Sequence, residues 1–584
     1  MQPPAFSLTN NQQKIRYSLL IGFIVIALLC SNSYWPELFA FATNKQLGSW
    51  DRLLSMPVIL DDDVMITFRS GFILDQLGYP GFNRYDLAQP STSFLAPYLY
   101  ALLAKFLANN LAVAFYAVLG MLSVATTMSI IYFSSNSSFN ALIIIFLLIF
   151  SSTSVRYSLN GWDHLFQALF LTISASIFLA NNLNRSNLLL LSCFLALSCL
   201  WRPDAALVAF AIIACSYIEA RKKKDVVIYS IFPFIGFVLP FIIHNLIIFG
   251  HVAPTTARLK IGASPTMDYS IKYLLDNGLF QFSAISIVGL LGFFYFYYLA
   301  NIGTLRSHVL ALSAILTSLI AIFNSDAFVA GRMFWMPACV LAVVCGYLAP
   351  PIFSSTAYPE VGDANSHQSR SVNINKFYWP SNVISALPLI LLVGSLVLIT
   401  GNVIKERAIS ALITTNKVQS SALARQYVLT RWIDQHLDPK NGPIGYFFLG
   451  LSYHIDRFEI ADFMGKADEL IANSNRQWGP PGHNKWDFTS TLDKWNPQAI
   501  VPPQNSDFSQ IGILKEARSK VDARVDYGFG YALIVEPRIS SEYDYCYVNT
   551  AEPNLHDKLG LFLRKDISIN VGSAAICRQS ALGN

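Results

Sequence analysis

Apolar runs of bilayer-crossing length recur along this chain and restrict its fold more than any other feature. Eleven segments, roughly 17–35, 111–133, 139–154, 165–180, 187–201, 204–218, 226–248, 280–300, 307–323, 333–352 and 381–400, are apolar enough to span. A membrane helix needs about 20 such residues. Open strands cannot replace helices in lipid, because their edge amides and carbonyls would go unpaired. Of the 584 residues, 53% are hydrophobic and 13% charged, against about 25% charge in soluble proteins. A soluble cytosolic enzyme, a disordered chain and a fibrous repeat protein are excluded. The net charge of +5 comes from scattered rather than striped Lys and Arg, so no nucleic-acid partner is expected. The expectation is a polytopic α-helical membrane protein of about 11 spans. The first run is not read as a cleaved signal, since Ser31-Asn32-Ser33 leads into bulky Tyr34-Trp35.

Basic clusters beside spans orient such a chain. Lys14 and Arg16 precede the first span and place the N-terminus in the cytoplasm. The densest cluster, Arg221 to Lys224, falls on the same side by crossing parity, although the total of Lys and Arg is nearly even between sides. Residues 94–108 are apolar but short for a span, and they read as a helix at the outer interface. Loops 36–93, 155–164, 202–203, 249–279 and 324–332 then lie outside, with everything after about 401. Residues 353–380 read as a flexible cytoplasmic linker.

The chain divides into a transmembrane domain, 1–400, and a soluble α/β domain on the outer face, 401–584. In the second part charge, Trp, Pro and Asn rise. Residues 446–449 and 531–535 read as strands, and 427–436 as an amphipathic helix. Six cysteines, Cys30, Cys193, Cys199, Cys215, Cys339 and Cys345, sit in spans as packing residues. Cys546 and Cys577 lie in the soluble part and are expected to form a disulfide in an oxidising compartment.

The first outer loop carries Asp61-Asp62-Asp63-Val64-Met65-Ile66-Thr67-Phe68-Arg69. Three consecutive carboxylates repel unless water, a cation or a basic partner relieves them. Beside a span they suggest a site, and composition alone equally allows a solvated loop or a helix cap.

Residue order adds a resemblance. Asp62 to Arg69, then Gly78, Asn83 and Ser91-Thr92-Ser93, is similar to the first outer loop of the GT-C membrane glycosyltransferases, in particular the arabinofuranosyltransferase-like branch. Ser70 departs from that pattern's Tyr, and Phe94-Leu95 from its Pro-Leu. Further elements follow in order: Asn160-Gly161-Trp162-Asp163, Trp201-Arg202-Pro203-Asp204, Gly250 to Thr256 with Lys260, and Asp326 with Gly331-Arg332 and Pro337. In the tail, Asp462 to Asp468 and Pro481-Gly482-His483-Asn484-Lys485 with Pro497 also match. The resemblance runs from Asp62 to about Val501.

The resemblance implies transfer of a sugar from a polyprenyl-phosphate donor to an envelope glycan or lipid-linked acceptor, in one inverting displacement. The location implied is the outer face of a bacterial inner membrane, with a role in lipopolysaccharide or glycan biosynthesis. Asp62 or Asp63 would be the base, and the same pair could hold Mg²⁺, Mn²⁺ or Ca²⁺ through oxygen ligands. Arg69, Arg202, Lys260 and Arg332 are candidates for the donor phosphate, which a guanidinium fork suits. Each could instead anchor at the headgroup level. Asp163, Trp162, Asp326 and His483 are candidates for substrate contact. An interfacial aromatic belt explains Trp162 equally well, and a surface or domain-contact role His483. The rival class is a polytopic lipid or glycan transporter, or flippase. It should carry mid-span ionisable groups and repeated halves, and neither is evident.

Overall fold

The computed structural model describes residues 10–30, 62–149, 162–180, 183–260, 287–323, 332–349, 429–447, 449–474, 485–502, 536–548, 560–568, 571 and 574–578. The expected span 381–400, the linker 353–380 and the expected strand 531–535 lie outside the described residues.

Every other expected span falls on a helix. These are α1 (Asn10–Cys30), α4 (Asn109–Ser134), α5 (Ser138–Ile149), α6 (Asp163–Ala180), α7 (Arg185–Trp201), α8 (Ala206–Glu219), α9 (Lys223–Phe249), α11 (Ile287–Ile302), α12 (Leu305–Phe323) and α13 (Trp335–Leu348). Between them lie α2 (Asp62–Leu77), α3 (Ala96–Phe106) and α10 (Thr255–Lys260). Among the described residues, three helices are both long and apolar enough to cross a bilayer: Leu111–Ser134, Asp163–Ala180 and Lys223–Phe249. The expectation of about 11 spans is to that extent too generous. At 1.5 Å per residue, a helix such as Trp335–Leu348 falls short of the hydrocarbon thickness of about 30 Å.

Helix α13 is apolar on every side and buried from Trp335 to Gly346, as a helix without a polar face must be. α9 is the reverse case. Phe232, Ile235, Phe237, Ile243 and Ile247 lie exposed along it, and Gly250 at φ +70 closes it in the left-handed conformation. Residues 94–108 form only the 11-residue α3, too short to cross. It lies tight on α2, because Gly71 lacks the Cβ that would come within 2.5 Å of the Tyr100 ring.

The helix ends sort into two groups. At one end Lys14 Nζ donates to the Ser135 carbonyl (3.2 Å) and Asn136 N to the Gly346 carbonyl (3.0 Å). Arg306 pairs with Glu219, and Arg185 with Asp225 (3.4 Å). The run Arg221 to Lys224 belongs to this end. The opposite end carries Asp63, Thr92, Asp163, Arg202, Thr255 and Met333, together with the α/β part.

That part holds a six-stranded sheet, β1 (Ile444–Tyr446), β2 (Ile460–Asp462), β3 (Ala499–Val501), β4 (Tyr543–Val548), β5 (Gly560–Arg564) and β6 (Ala575–Arg578), in the order β2-β1-β3-β5-β4-β6. β1 pairs in parallel with β2 and β3, and the other pairings are antiparallel. A helix over 429–436, α14, flanks it, with α15 (Glu469–Ala472), α16 (Phe488–Trp495), α17 (Pro537–Glu542) and α18 (Lys565–Ser568). The strand expected at 446–449 sits two residues earlier, and Leu449–His454 is 3₁₀. A central strand buried on both faces has no alternation to fix its register from sequence. In the fold Gly445 fixes it, since a Cβ there would meet the Phe463 ring at 2.6 Å. Cys546 and Cys577 are register partners on β4 and β6, joined as a disulfide.

The two parts are locked together rather than tethered. Asn83 Nδ2 donates to the Ile460 carbonyl (2.8 Å), and Ile460 N donates back to Asn83 Oδ1 (2.9 Å). Tyr100 and Tyr453 hydroxyls lie 2.6 Å apart. Lys494 of α16 bridges Asp86 and Asp468, at 3.0 Å to each.

Candidate functional site

Helix α2 (Asp62–Leu77) has Asp62 and Asp63 in its first turn, where the helix dipole favours negative charge. Asp63 Oδ1 lies 3.0 Å from Lys466 Nζ, in an ion pair whose carboxylate side chain stays one-third exposed. Lys466 comes from the turn that follows β2. The Asp462 carboxylate holds that turn by accepting from Met464 N (2.8 Å) and Ala467 N (2.5 Å). Gly465 at φ +75 makes the reversal. Asp468 closes it by capping α15 through Leu470 N and Ile471 N. Burial pushes the Asp462 carboxyl up to about 7, against the pull of its two backbone donors.

A second cluster adjoins the first through Ser91-Thr92. Thr67, one turn along α2 from Asp63, places its Oγ1 3.2 Å from Ser91 Oγ. Thr92 Oγ1 donates to Asp163 Oδ2 (3.2 Å). Arg202 Nη1 donates to Asp163 Oδ1 and Nε to Asp204 Oδ1, both at 3.2 Å, and Gln167 Nε2 also reaches Asp204 (2.8 Å). Arg202 Nη2 lies 3.4 Å from Met333 Sδ, which brings the turn Arg332–Phe334 against this group.

A third contact docks the α/β part on α10. Thr255 Oγ1 donates to Glu469 Oε1 (2.7 Å), Arg258 pairs with the same carboxylate, and Thr255 N donates to the Gln89 carbonyl (2.9 Å). Lys485 Nζ donates to the Ala472 carbonyl (2.8 Å).

The expected site residues separate on this geometry. Asp63, Asp163 and Arg202 stand in adjoining clusters at one end of the bundle. Arg69 is 2% exposed, and its nitrogens donate to the carbonyls of Phe82 (3.0 Å), Ser452 (2.6 Å) and Phe458 (2.7 Å). Burial lowers it to about 10. It clamps α2 to the α/β part and offers no fork to a phosphate. Trp162 is 3% exposed, with its ring 5.6 Å from that of His164, so it packs within the protein rather than presenting a face to sugar. Asp62, Lys260 and Arg332 are placed by their backbones at the start of α2, the end of α10 and the start of the 332–334 turn; their side chains lie outside what is described. Asp326 and His483 fall outside the described residues.

Among the described residues no three His, Cys, Asp or Glu side chains converge as a metal-ligand set. At Asp63 a neighbouring positive charge is the Lys466 ammonium. Residues that sequence reasoning left without a role are Lys466, Asp204, Thr67 and Thr92. Lys466 and Asp204 lie inside motifs quoted above, and only the fold shows what they touch.

No protein-family model matches the chain, and no curated protein matches it. Solved structures similar to it include three. One is ArnT from Cupriavidus metallidurans bound to undecaprenyl phosphate, at 13% identity and TM-score 0.43, over 82% of this chain and 94% of that one. A second is the same ArnT in the apo state, at 14% and 0.42, over 85% and 97%. The third is the archaeal oligosaccharyltransferase AglB from Archaeoglobus fulgidus in complex with an inhibitory peptide and a dolichol-phosphate, at 11% and 0.46, over 97% and 77%.

Proposed function

We propose that this chain is a GT-C-type membrane glycosyltransferase that moves a sugar from a polyprenyl-phosphate donor to a glycan or lipid-linked acceptor. The observation that carries the reading is the partly open Asp63 carboxylate, set beside the Lys466 ammonium at the bundle end that also gathers Asp163, Arg202 and Met333. These groups come from five separate motifs of the resemblance, which a structural coincidence would not require to meet.

In the reaction, Asp63 accepts the proton of the acceptor hydroxyl as its oxygen bonds to the sugar's anomeric carbon. The bond from that carbon to the lipid phosphate breaks, and the phosphate leaves with the electron pair. Its charge needs cations aimed at where it develops. With Arg69 spent on carbonyls and Arg202 held by two carboxylates, Lys260 and Arg332 are the groups proposed for the phosphate. Asp163, through Thr92 and Arg202, orders the wall between base and phosphate. Asp326 and His483 remain proposed substrate contacts.

The proposed placement is a bacterial inner membrane with the α/β part in the periplasm. The Arg221 to Lys224 run at the opposite end supports a cytoplasmic assignment for that end, and the Cys546–Cys577 disulfide supports an oxidising compartment for the sheet. The test is purified protein in lipid with a radiolabelled polyprenyl-phosphate sugar and envelope glycan as acceptor. The expected result is covalent transfer with release of polyprenyl phosphate. Lipid movement across the bilayer without transfer would instead favour the transporter class.

A further inference from the structure

The loop that carries Lys466 has a construction its own fold does not need. β2 ends at Asp462, and the chain reverses over the next residues toward α15. A reversal of this kind is commonly closed by backbone hydrogen bonds. Here a carboxylate, 1% exposed, takes that place and accepts two amides. An ionisable group buried in that way is costly unless it is hydrogen-bonded, and the two amides meet that need. What the loop presents is Lys466, whose ammonium sits on Asp63 403 residues away in the chain.

We propose that the Asp462–Asp468 loop is a positioning device for the transfer reaction, in which the Asp462 carboxylate anchors the turn and Lys466 fixes the orientation of Asp63. This rests on the reading of Asp63 as the base. Asp462 and Lys466 are therefore positioning residues that act through Asp63.

The device has an acid-sensitive element. Both Asp462 oxygens are in use as acceptors, and a protonated carboxyl accepts more weakly than a carboxylate, so adding a proton weakens these ties. Burial brings that protonation up to about 7. The charged groups around Asp462 are accounted for. Asp468 raises it and Lys466 lowers it. Tyr446, its register partner on β1, has its hydroxyl 2.9 Å from Thr430 Oγ1, and Lys494 of α16 lies on Asp468. Below neutrality these ties weaken while the carboxyl stays buried, and Lys466 holds Asp63 less firmly.

The experiment uses the full-length protein in lipid and two independent readouts. The first is acylation of Lys466 by a limiting amine reagent, read by mass spectrometry against exposed Lys440 between pH 6 and 8.5. In the wild type Lys466 should be protected at pH 8 and lose protection as pH falls through about 7. Asp462→Asn should label several-fold faster at pH 8, with no step near 7. The second readout is the pH profile of transfer. The wild type should rise through about 7, and Asp462→Asn should be low and flat. Lys466→Met should lose about tenfold or more in kcat, and Lys466→Arg should recover most of it. Equal labelling of Lys466 in wild type and in folded Asp462→Asn overturns the proposal, as does full activity of Lys466→Met. Absence of transfer in the wild type, with the labelling pattern as described, contradicts the glycosyltransferase reading and leaves the loop's anchoring supported.

Discussion

Asp63 and Lys466 are 403 positions apart in the chain and 3.0 Å apart in the fold. One belongs to the start of a helix beside the membrane bundle, the other to a turn after a sheet strand. The α/β part is thus a component of the site's geometry, and its rigid docking matters as much as the bundle beneath it.

That docking gives the first prediction. Arg69→Met should leave three buried carbonyls without their donor and lower stability by about 3–5 kcal/mol. The check is thermal unfolding in detergent together with limited proteolysis. Arg69→Met should expose cleavage between the two parts, whereas a phosphate-binding role would leave stability unchanged and weaken donor binding.

Arg202 should behave as the centre of an ion cluster. Arg202→Ala removes the guanidinium that Asp163 and Asp204 share, at a cost of about 3–5 kcal/mol. Asp163→Asn alone should cost less, and the pair should be strongly non-additive in a double-mutant cycle. Additive effects would mean that the 3.2 Å contacts carry no coupling.

Asp462 sets a pH dependence of stability. Its folded value of about 7 lies above the ordinary aspartate value of about 3.9. Between these limits the folded state holds a proton that the unfolded state has lost, so stability falls as pH rises through the window. The full effect is about 4 kcal/mol at most. Asp462→Asn should therefore gain stability relative to wild type as pH increases from 5 to 8. A parallel pair of melting curves across that range would show that the buried carboxyl titrates normally.

Sidedness follows from the two groups of helix ends. Cysteines introduced at Lys222 and at Lys440, both exposed, should label from opposite faces of right-side-out vesicles, with position 440 reached from outside. Labelling of both from one face would remove the periplasmic placement of the sheet.

Much of the bundle was legible in the sequence, because membrane helices are declared by apolar length and their ends by nearby charge. What overran was span length: 333–352 reads as one run, whereas its helix ends at Leu348 and Ala349 is extended. The site was legible only as a set of residue types. Nothing local to Arg69 shows that its three partners are Phe82, Ser452 and Phe458, two of them nearly four hundred residues away. For the same reason Lys466 carried no role until the turn anchored by Asp462 brought it to Asp63. Trp162 read as a candidate sugar contact, and its burial depends on neighbours that sequence does not name.

The most direct test is transfer by Asp63→Asn, an isosteric change that removes the proton acceptor and keeps the side chain's shape. With a polyprenyl-phosphate sugar as donor, the account predicts that kcat falls by about 10²–10⁴ while donor KM changes little. Transfer by Asp63→Asn at the wild-type rate would contradict it.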